Sequence, residues 1–166
     1  MLAAESAWAV LRAEHGRIRE LLNQADDVVS APGIALGAKA QALAEVVERL
    51  REFDEAIHRP KGALLLTMLQ GRASETDQLL SHLATTRQRC DDLLEEVFFM
   101  LKSAEAGIPQ SAERVPGLLA EHRALTLEQL EVEDTLLHSQ SARHLTREEW
   151  AAIASSISDT LTQFKT

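Results

Sequence analysis

The chain has 166 residues, of which 45% are hydrophobic and 26% charged, and we interpret residues 1–166 as one soluble globular domain. Its formal net charge of −9 argues against nucleic acid and against a membrane surface as partners. With one cysteine an internal disulfide is excluded, and with no signal-like start and no long apolar run we expect a cytoplasmic protein.

Long helices are expected throughout, because seven glycines and four prolines are too few for the turns of an all-β fold. The first predicted helix runs from about Glu5 to Val29. Its apolar residues recur every three or four positions, which places them on one helical face, and His15 falls within that stripe. The sequence Ala31-Pro32-Gly33 ends the pattern.

The second predicted helix starts near Gly37 or Ala38, and its apolar face runs to Ile57. His58 lies on the flank of that face. Pro60 removes one helical hydrogen bond, so it predicts a kink or a locally loosened turn beside His58. Gly71 is a suitable residue for the C-terminal cap.

The third predicted helix starts at Ser74 or Thr76, and His82 follows Leu79 by three residues on the same side. The fourth helix runs from near Pro116 to about His138. A line of polar residues follows the middle of its apolar face, at His122, Thr126, Gln129 and Glu133. Such a line is costly in a core unless its members are hydrogen-bonded or bind a ligand.

A short fifth helix is predicted from a capping box, in which Thr146 is followed three residues later by Glu149. Its apolar residues keep helical spacing: Trp150, Ile153, Ile157, Leu161 and Phe164. The predicted fold is therefore all-α, an up-down-up-down four-helix bundle with a short fifth C-terminal helix.

Each of the four long helices turns one possible metal ligand inward, and bundles commonly build metal sites in this way. The candidates are His15, His58, His82 and Glu133. Neutral imidazole suits iron or zinc, and a carboxylate offsets the charge of the ion. The competing interpretation is that these residues are hydrogen-bonded core groups with no metal.

Four segments of the chain resemble the hemerythrin-like (HHE cation-binding) domains. They are LRAEHGRIRELL in the first helix, IHRPKGALLLTML in the second, QLEVEDTLLHS in the fourth and ARHLTREEWAAI at the start of the fifth. The resemblance implies the bundle fold and, for the family, a pair of irons held by five histidines and two bridging carboxylates. It also implies binding or sensing of oxygen, nitric oxide or iron.

The resemblance carries the family's ligand positions onto His15, His58, His82 and Glu133. In the second helix, the alignment with the family's HHPKE motif does not decide whether the ligand position is residue 58 or residue 59. Helical phase favours His58.

At three further positions where the family has a metal ligand, this chain has a residue of another type. The helix-two carboxylate falls at Gly62, the helix-four histidine at Gln129, and a second helix-three histidine at Thr86. We therefore expect a degenerate site with no stable di-iron centre. Two outcomes stay open, a single iron or zinc ion or a metal-free core.

The expected function is a non-enzymatic metal or small-ligand binding and sensing module, with oxygen or nitric oxide as the ligand. The alternative is a metal-free structural or protein-interaction bundle. The sequence is also compatible with a homodimer. An enzyme is not expected, because the chain has no glycine-rich phosphate loop and no nucleophile elbow.

Overall fold

The computed structural model describes residues 2–163 and is helical across nearly all of that range. The α-helices are α1 (Leu2–Ser30), α2 (Ala40–Glu52), α3 (Arg59–Leu69), α4 (Ser74–Glu105), α5 (Val115–Val132), α6 (His138–His144) and α7 (Arg147–Gln163). Short 3₁₀ turns, Leu36–Lys39 and Pro109–Arg114, precede α2 and α5. The predicted apolar residue Phe164 lies outside the described residues.

Two π-helical turns join neighbouring helices into longer ones. Phe53–His58 connects α2 to α3, and Glu133–Leu137 connects α5 to α6. The bundle therefore consists of α1, the α2–α3 helix, α4 and the α5–α6 helix. The predicted four-helix bundle with a fifth C-terminal helix is confirmed.

The apolar clusters show that the four helices alternate in direction. One end of the bundle combines Ala25 of α1, Leu43 of α2, Leu101 of α4 and Val115 of α5, which lie at alternating ends of their helices. The opposite end combines the start of α1, the end of α3, the start of α4 and residues around Leu137. Helix α7 covers this second end, where its buried Trp150, Ile153 and Ile157 pack against α1 and α3.

The π turn before Pro60 is the loosened turn that the proline predicts. The amide of Arg59 donates to the carbonyl of Asp54, five residues earlier, and Pro60 itself has no amide proton to donate. The extra residue rotates the inward face by about one position, so His58 is buried and Ile57 is only partly so.

Helix ends follow the expected chemistry. Gly71 and Gly107 have φ angles of 75° and 104°, which only glycine adopts easily, and each follows the end of a helix. The capping box of α7 is present: the amide of Thr146 donates to Glu149 at 2.8 Å, and the amide of Glu149 donates to Thr146 at 3.2 Å. In the described part of the chain, no helix is long and apolar enough to cross a bilayer.

Candidate metal centre

Three residues from three different bundle helices meet in a buried polar layer. His15 comes from α1, His58 from the first π turn and Glu133 from the second, and one ligand atom of each lies within 4.8 Å of the others. The Nε2 atom of His15 lies 3.0 Å from Oε2 of Glu133. The two imidazole rings meet edge to face, with centroids 4.9 Å apart. All three side chains are buried.

Each histidine is oriented by a carboxylate from another helix. Nδ1 of His15 lies 2.7 Å from Oδ1 of Asp134, and Nδ1 of His58 lies 3.0 Å from Oε1 of Glu14. A carboxylate can only accept, so the Nδ1 atoms donate, and in the neutral form of each imidazole Nε2 is the nitrogen with a lone pair for a metal. Carboxylates commonly orient metal-binding histidines in this way.

Glu14 also neutralises a buried lysine. Lys61, on α3, is only 2% exposed, and its ammonium group donates to Oε2 of Glu14. Burial would raise the pKa of Glu14, but the hydrogen bonds from His58 and Lys61 outweigh it, so the pKa is lowered. The carboxylate thus serves an imidazole and an ammonium group together.

His15 and Glu133 form an ion pair when no metal separates them. Burial alone would lower the pKa of His15, but hydrogen bonds and charge from Glu133 and Asp134 outweigh it and raise the pKa. Burial would raise the pKa of Glu133, but the hydrogen bond from His15 and the nearby positive charges of His15, His58 and Arg87 together outweigh it, so this pKa is lowered. A metal at this position therefore competes with the proton on Nε2 of His15.

The second oxygen of Glu133 is taken by two other side chains. The amide nitrogen of Gln129 donates to Oε1 at 3.3 Å, and the guanidinium of Arg87 lies 3.6 Å from the same atom. Arg87, on α4, brings a positive charge to the side of Glu133 that faces away from His15. The carboxylate therefore has one oxygen directed at the histidines and one occupied by protein donors.

The inward position expected for His82 is wrong. Its side chain is exposed, whereas the next residue, Leu83, is buried in the apolar end of the bundle. One residue corresponds to a rotation of about 100° around a helix, so the buried face of α4 passes through Leu83 and leaves His82 outside. His82 is not among the three residues that meet in the core.

Sequence reasoning missed Glu14, Lys61 and Asp134. Glu14 lies three residues after Leu11 and Lys61 three residues after His58, so helical spacing alone would have placed both on inward faces. Their charge argued for solvent instead, because Glu and Lys are rarely buried unless paired. Asp134 follows Glu133 directly and gives no separate spacing signal.

A cavity of about 140 Å³ touches Glu133 but neither histidine, and two smaller cavities adjoin both His58 and Glu133. One of the two smaller cavities has a volume of about 30 Å³ and is bounded by His15, His58 and Glu133 together with Trp8, Gly62, two arginines (Arg59 and Arg87) and apolar side chains. The other has a volume of about 40 Å³ and lies beyond His58 and Glu133. The polar line predicted on the fourth helix lines this second cavity: His122, Thr126, Gln129 and Glu133.

His122 is a neutral imidazole in the second cavity. Burial lowers its pKa to about 4, against a small opposing effect of Asp54 and Asp91. Its Nε2 lies 3.4 Å from the hydroxyl of Thr126, and its Nδ1 has no hydrogen-bond partner within residues 2–163. One ring nitrogen of His122, a member of the polar line predicted on the fourth helix, is thus within hydrogen-bond distance of a neighbour.

The residues present fit one metal ion. Two atoms bonded to one ion at about 2.0–2.2 Å lie roughly 3.0–3.5 Å apart in octahedral or tetrahedral geometry. The His15–Glu133 distance of 3.0 Å fits this spacing, and the other distances, of up to 4.8 Å, shorten by side-chain adjustment on binding. Two imidazoles and one carboxylate are the donors of a facial triad, which leaves other positions around the ion open. Such an ion would act as a Lewis acid with room for a further small ligand.

Comparison with known protein families gives a match over most of the chain. The family described as "Hemerythrin HHE cation binding domain" matches residues 6–149. These residues include all four bundle helices and the start of α7. No curated protein and no solved structure matches the chain significantly.

Proposed function

The chain belongs to the hemerythrin HHE cation-binding domain family, and we propose that it is a non-enzymatic module that binds one metal ion and senses a small ligand. The proposed metal ligands are His15, His58 and Glu133. The observation that carries the proposal is that both imidazoles have their Nδ1 atoms held by carboxylates while one nitrogen of each ring lies within 4.8 Å of an oxygen of Glu133.

Three features support one ion rather than two. The position where the resemblance places a second bridging carboxylate is Gly62, which has no side chain, and the position of the helix-four histidine is Gln129. Gln129 and Arg87 occupy the Glu133 oxygen that would face a second ion. A guanidinium at this distance opposes a second cation by charge repulsion.

Iron or zinc is the proposed metal, since two imidazoles and a carboxylate suit both ions. The cavities that reach the histidines are small, about 30 and 40 Å³, which favours a ligand of few atoms such as oxygen or nitric oxide over an organic substrate. This size is also the reason to propose a sensing role instead of catalysis on a larger molecule.

A metal-free structural bundle is the second candidate. It is favoured by the direct contact of His15 with Glu133 and by the pair of Glu14 with Lys61, because these bonds satisfy the buried groups without an ion. In this case the polar layer serves to fix how the helices pack.

Metal uptake with a matched pair of histidine variants separates the two candidates. We expect the wild type and His82→Ala to take up about one Fe(II) or Zn(II) per chain, and His58→Ala to lose most of that uptake. Metal at about 100 times its dissociation constant should stabilise the wild type by about 2.7 kcal/mol, a rise in melting temperature of roughly 5–10 °C. Equal and negligible uptake by all three chains would favour the metal-free bundle.

A further inference from the structure

One residue that lines the cavity beside the candidate metal centre carries a buried hydrogen-bond donor with no acceptor among the described residues. Trp8, on α1, is 4% exposed and lines the cavity of about 30 Å³ together with His15, His58 and Glu133. Its indole Nε1 is buried and has no hydrogen-bond partner in the described chain. A buried donor left in this state costs about 1–3 kcal/mol, so an acceptor at this place would be stabilising.

The indole ring is held in a defined orientation. His138 contacts it edge to face, with centroids 4.9 Å apart, and the guanidinium of Arg12 lies 6.0 Å from the ring centroid. Apolar neighbours from the same end of the bundle, among them Leu11, Leu65 and Leu137, complete the surroundings. The Nε1–H group is therefore held in place by neighbours that do not accept a hydrogen bond from it.

Gly62 leaves space on another wall of the same cavity. A Cβ atom built on Gly62 meets no other atom within 4 Å, and the residue is part of the cavity wall. A cavity of about 30 Å³ is enough for a ligand of one or two non-hydrogen atoms. Space and a residue with an unsatisfied donor thus occur at the same cavity, which His15, His58 and Glu133 also line.

We propose that the Trp8 indole N–H donates a hydrogen bond to a small acceptor ligand bound beside the metal, and that Trp8 thereby sets which ligands the site prefers. The ligand class is a diatomic molecule or small anion whose outer atom accepts a hydrogen bond. An N–H donor can only donate, so Trp8 favours ligands that gain negative charge on binding. The inference rests on the proposed single-metal site.

Nitric oxide binding to the Fe(II)-loaded protein tests this role, with the second tryptophan as a control. Trp150 is equally buried in the same apolar cluster but does not line the cavity. We expect Trp8→Phe to weaken nitric oxide binding about two- to tenfold, the factor for one hydrogen bond, and to raise the N–O stretching frequency. Trp150→Phe should change neither, and all three chains should take up iron equally.

A second variant separates the lost donor from altered packing. In the Trp150→Phe background, Trp8 is replaced by β-(3-benzothienyl)alanine, which keeps the shape of the indole and substitutes sulfur for N–H. The same loss of affinity and the same frequency shift are expected. Unchanged affinity and frequency with normal iron uptake would overturn the role of Trp8 alone, whereas absent iron uptake would overturn the proposed function together with it.

Discussion

The Nε2 atom of His15 lies 3.0 Å from Oε2 of Glu133, so one proton occupies the place where a metal ion would join the same two atoms. Because neighbouring carboxylates raise the pKa of His15, this proton is retained at higher pH than in a free histidine. Metal binding must release it.

Metal affinity is therefore expected to fall as the pH falls. At low pH the imidazolium form of His15 competes with the ion, and at high pH the neutral form binds without that cost. Calorimetric titration with Zn(II) in buffers of different ionisation enthalpy measures the released protons. We expect release of up to one proton per ion at neutral pH, and no release over the same range would contradict the ion pair.

Glu14→Gln should impair both metal binding and folding. Loss of a carboxylate behind a ligating histidine typically costs about 10- to 100-fold in metal affinity. The variant also leaves the ammonium of Lys61 buried without its partner, at a cost of about 3–5 kcal/mol. Metal titration and urea unfolding measure the two effects.

The double variant Glu14→Gln with Lys61→Met separates the two effects. Removing the unpaired ammonium should restore most of the lost stability, because buried pairs are often replaceable by apolar groups. Metal affinity should stay low, since His58 still lacks its carboxylate. Recovery of both properties would show that Glu14 serves only to neutralise Lys61.

Gly62→Ala should stabilise the protein. Alanine is favoured over glycine in a helix interior by about 1 kcal/mol, and a Cβ atom at Gly62 meets nothing within 4 Å. Gly16→Ala, in α1, is a matched control with the same open surroundings. Urea unfolding of both variants should give gains of about 0.5–1 kcal/mol, and a loss at Gly62 alone would show that the expected space is not there.

His122 should make the fold less stable in mild acid. Its pKa is about 4 in the folded chain and 6.5 for an ordinary exposed histidine, so between these values the unfolded chain binds a proton that the folded chain does not. Stability is thus lost as the pH falls through this window. From pH 7 to pH 5 the loss from this residue is about 2 kcal/mol.

The variant His122→Phe isolates this contribution, because other buried acids and histidines also titrate. We expect the drop in unfolding free energy between pH 7 and pH 5 to be smaller in His122→Phe than in the wild type. Equal drops in the two proteins would mean that His122 is protonated as readily in the folded chain as in the unfolded one.

The sequence predicted inward-facing side chains correctly where the residue type and the helical spacing both indicated a buried position. Histidines are tolerated in a core, and the stripes around His15 and the polar line ending at Glu133 followed an undisturbed α-helical period, so both faced inward as predicted. Pro60 gave the local signal for the π turn, and the capping box at Thr146 gave the start of α7.

The remaining features of the site depend on contacts between distant parts of the chain. Glu14 and Lys61 are 47 residues apart and His15 and Asp134 are 119 apart, and only their pairing makes burial of the charges acceptable. No such partner is visible from one segment alone. A shift of one residue in helical phase decides whether His82 faces the core or the solvent. The spacing of apolar residues in a long stripe does not define the buried face that finely.

Anomalous X-ray scattering at the zinc or iron edge, from crystals grown with the metal, tests the single-ion site most directly. We expect one peak per chain, within about 2.0–2.3 Å of the Nε2 atoms of His15 and His58 and of a carboxylate oxygen of Glu133. Two peaks bridged by Glu133, or none between these three side chains, would contradict the single-ion site.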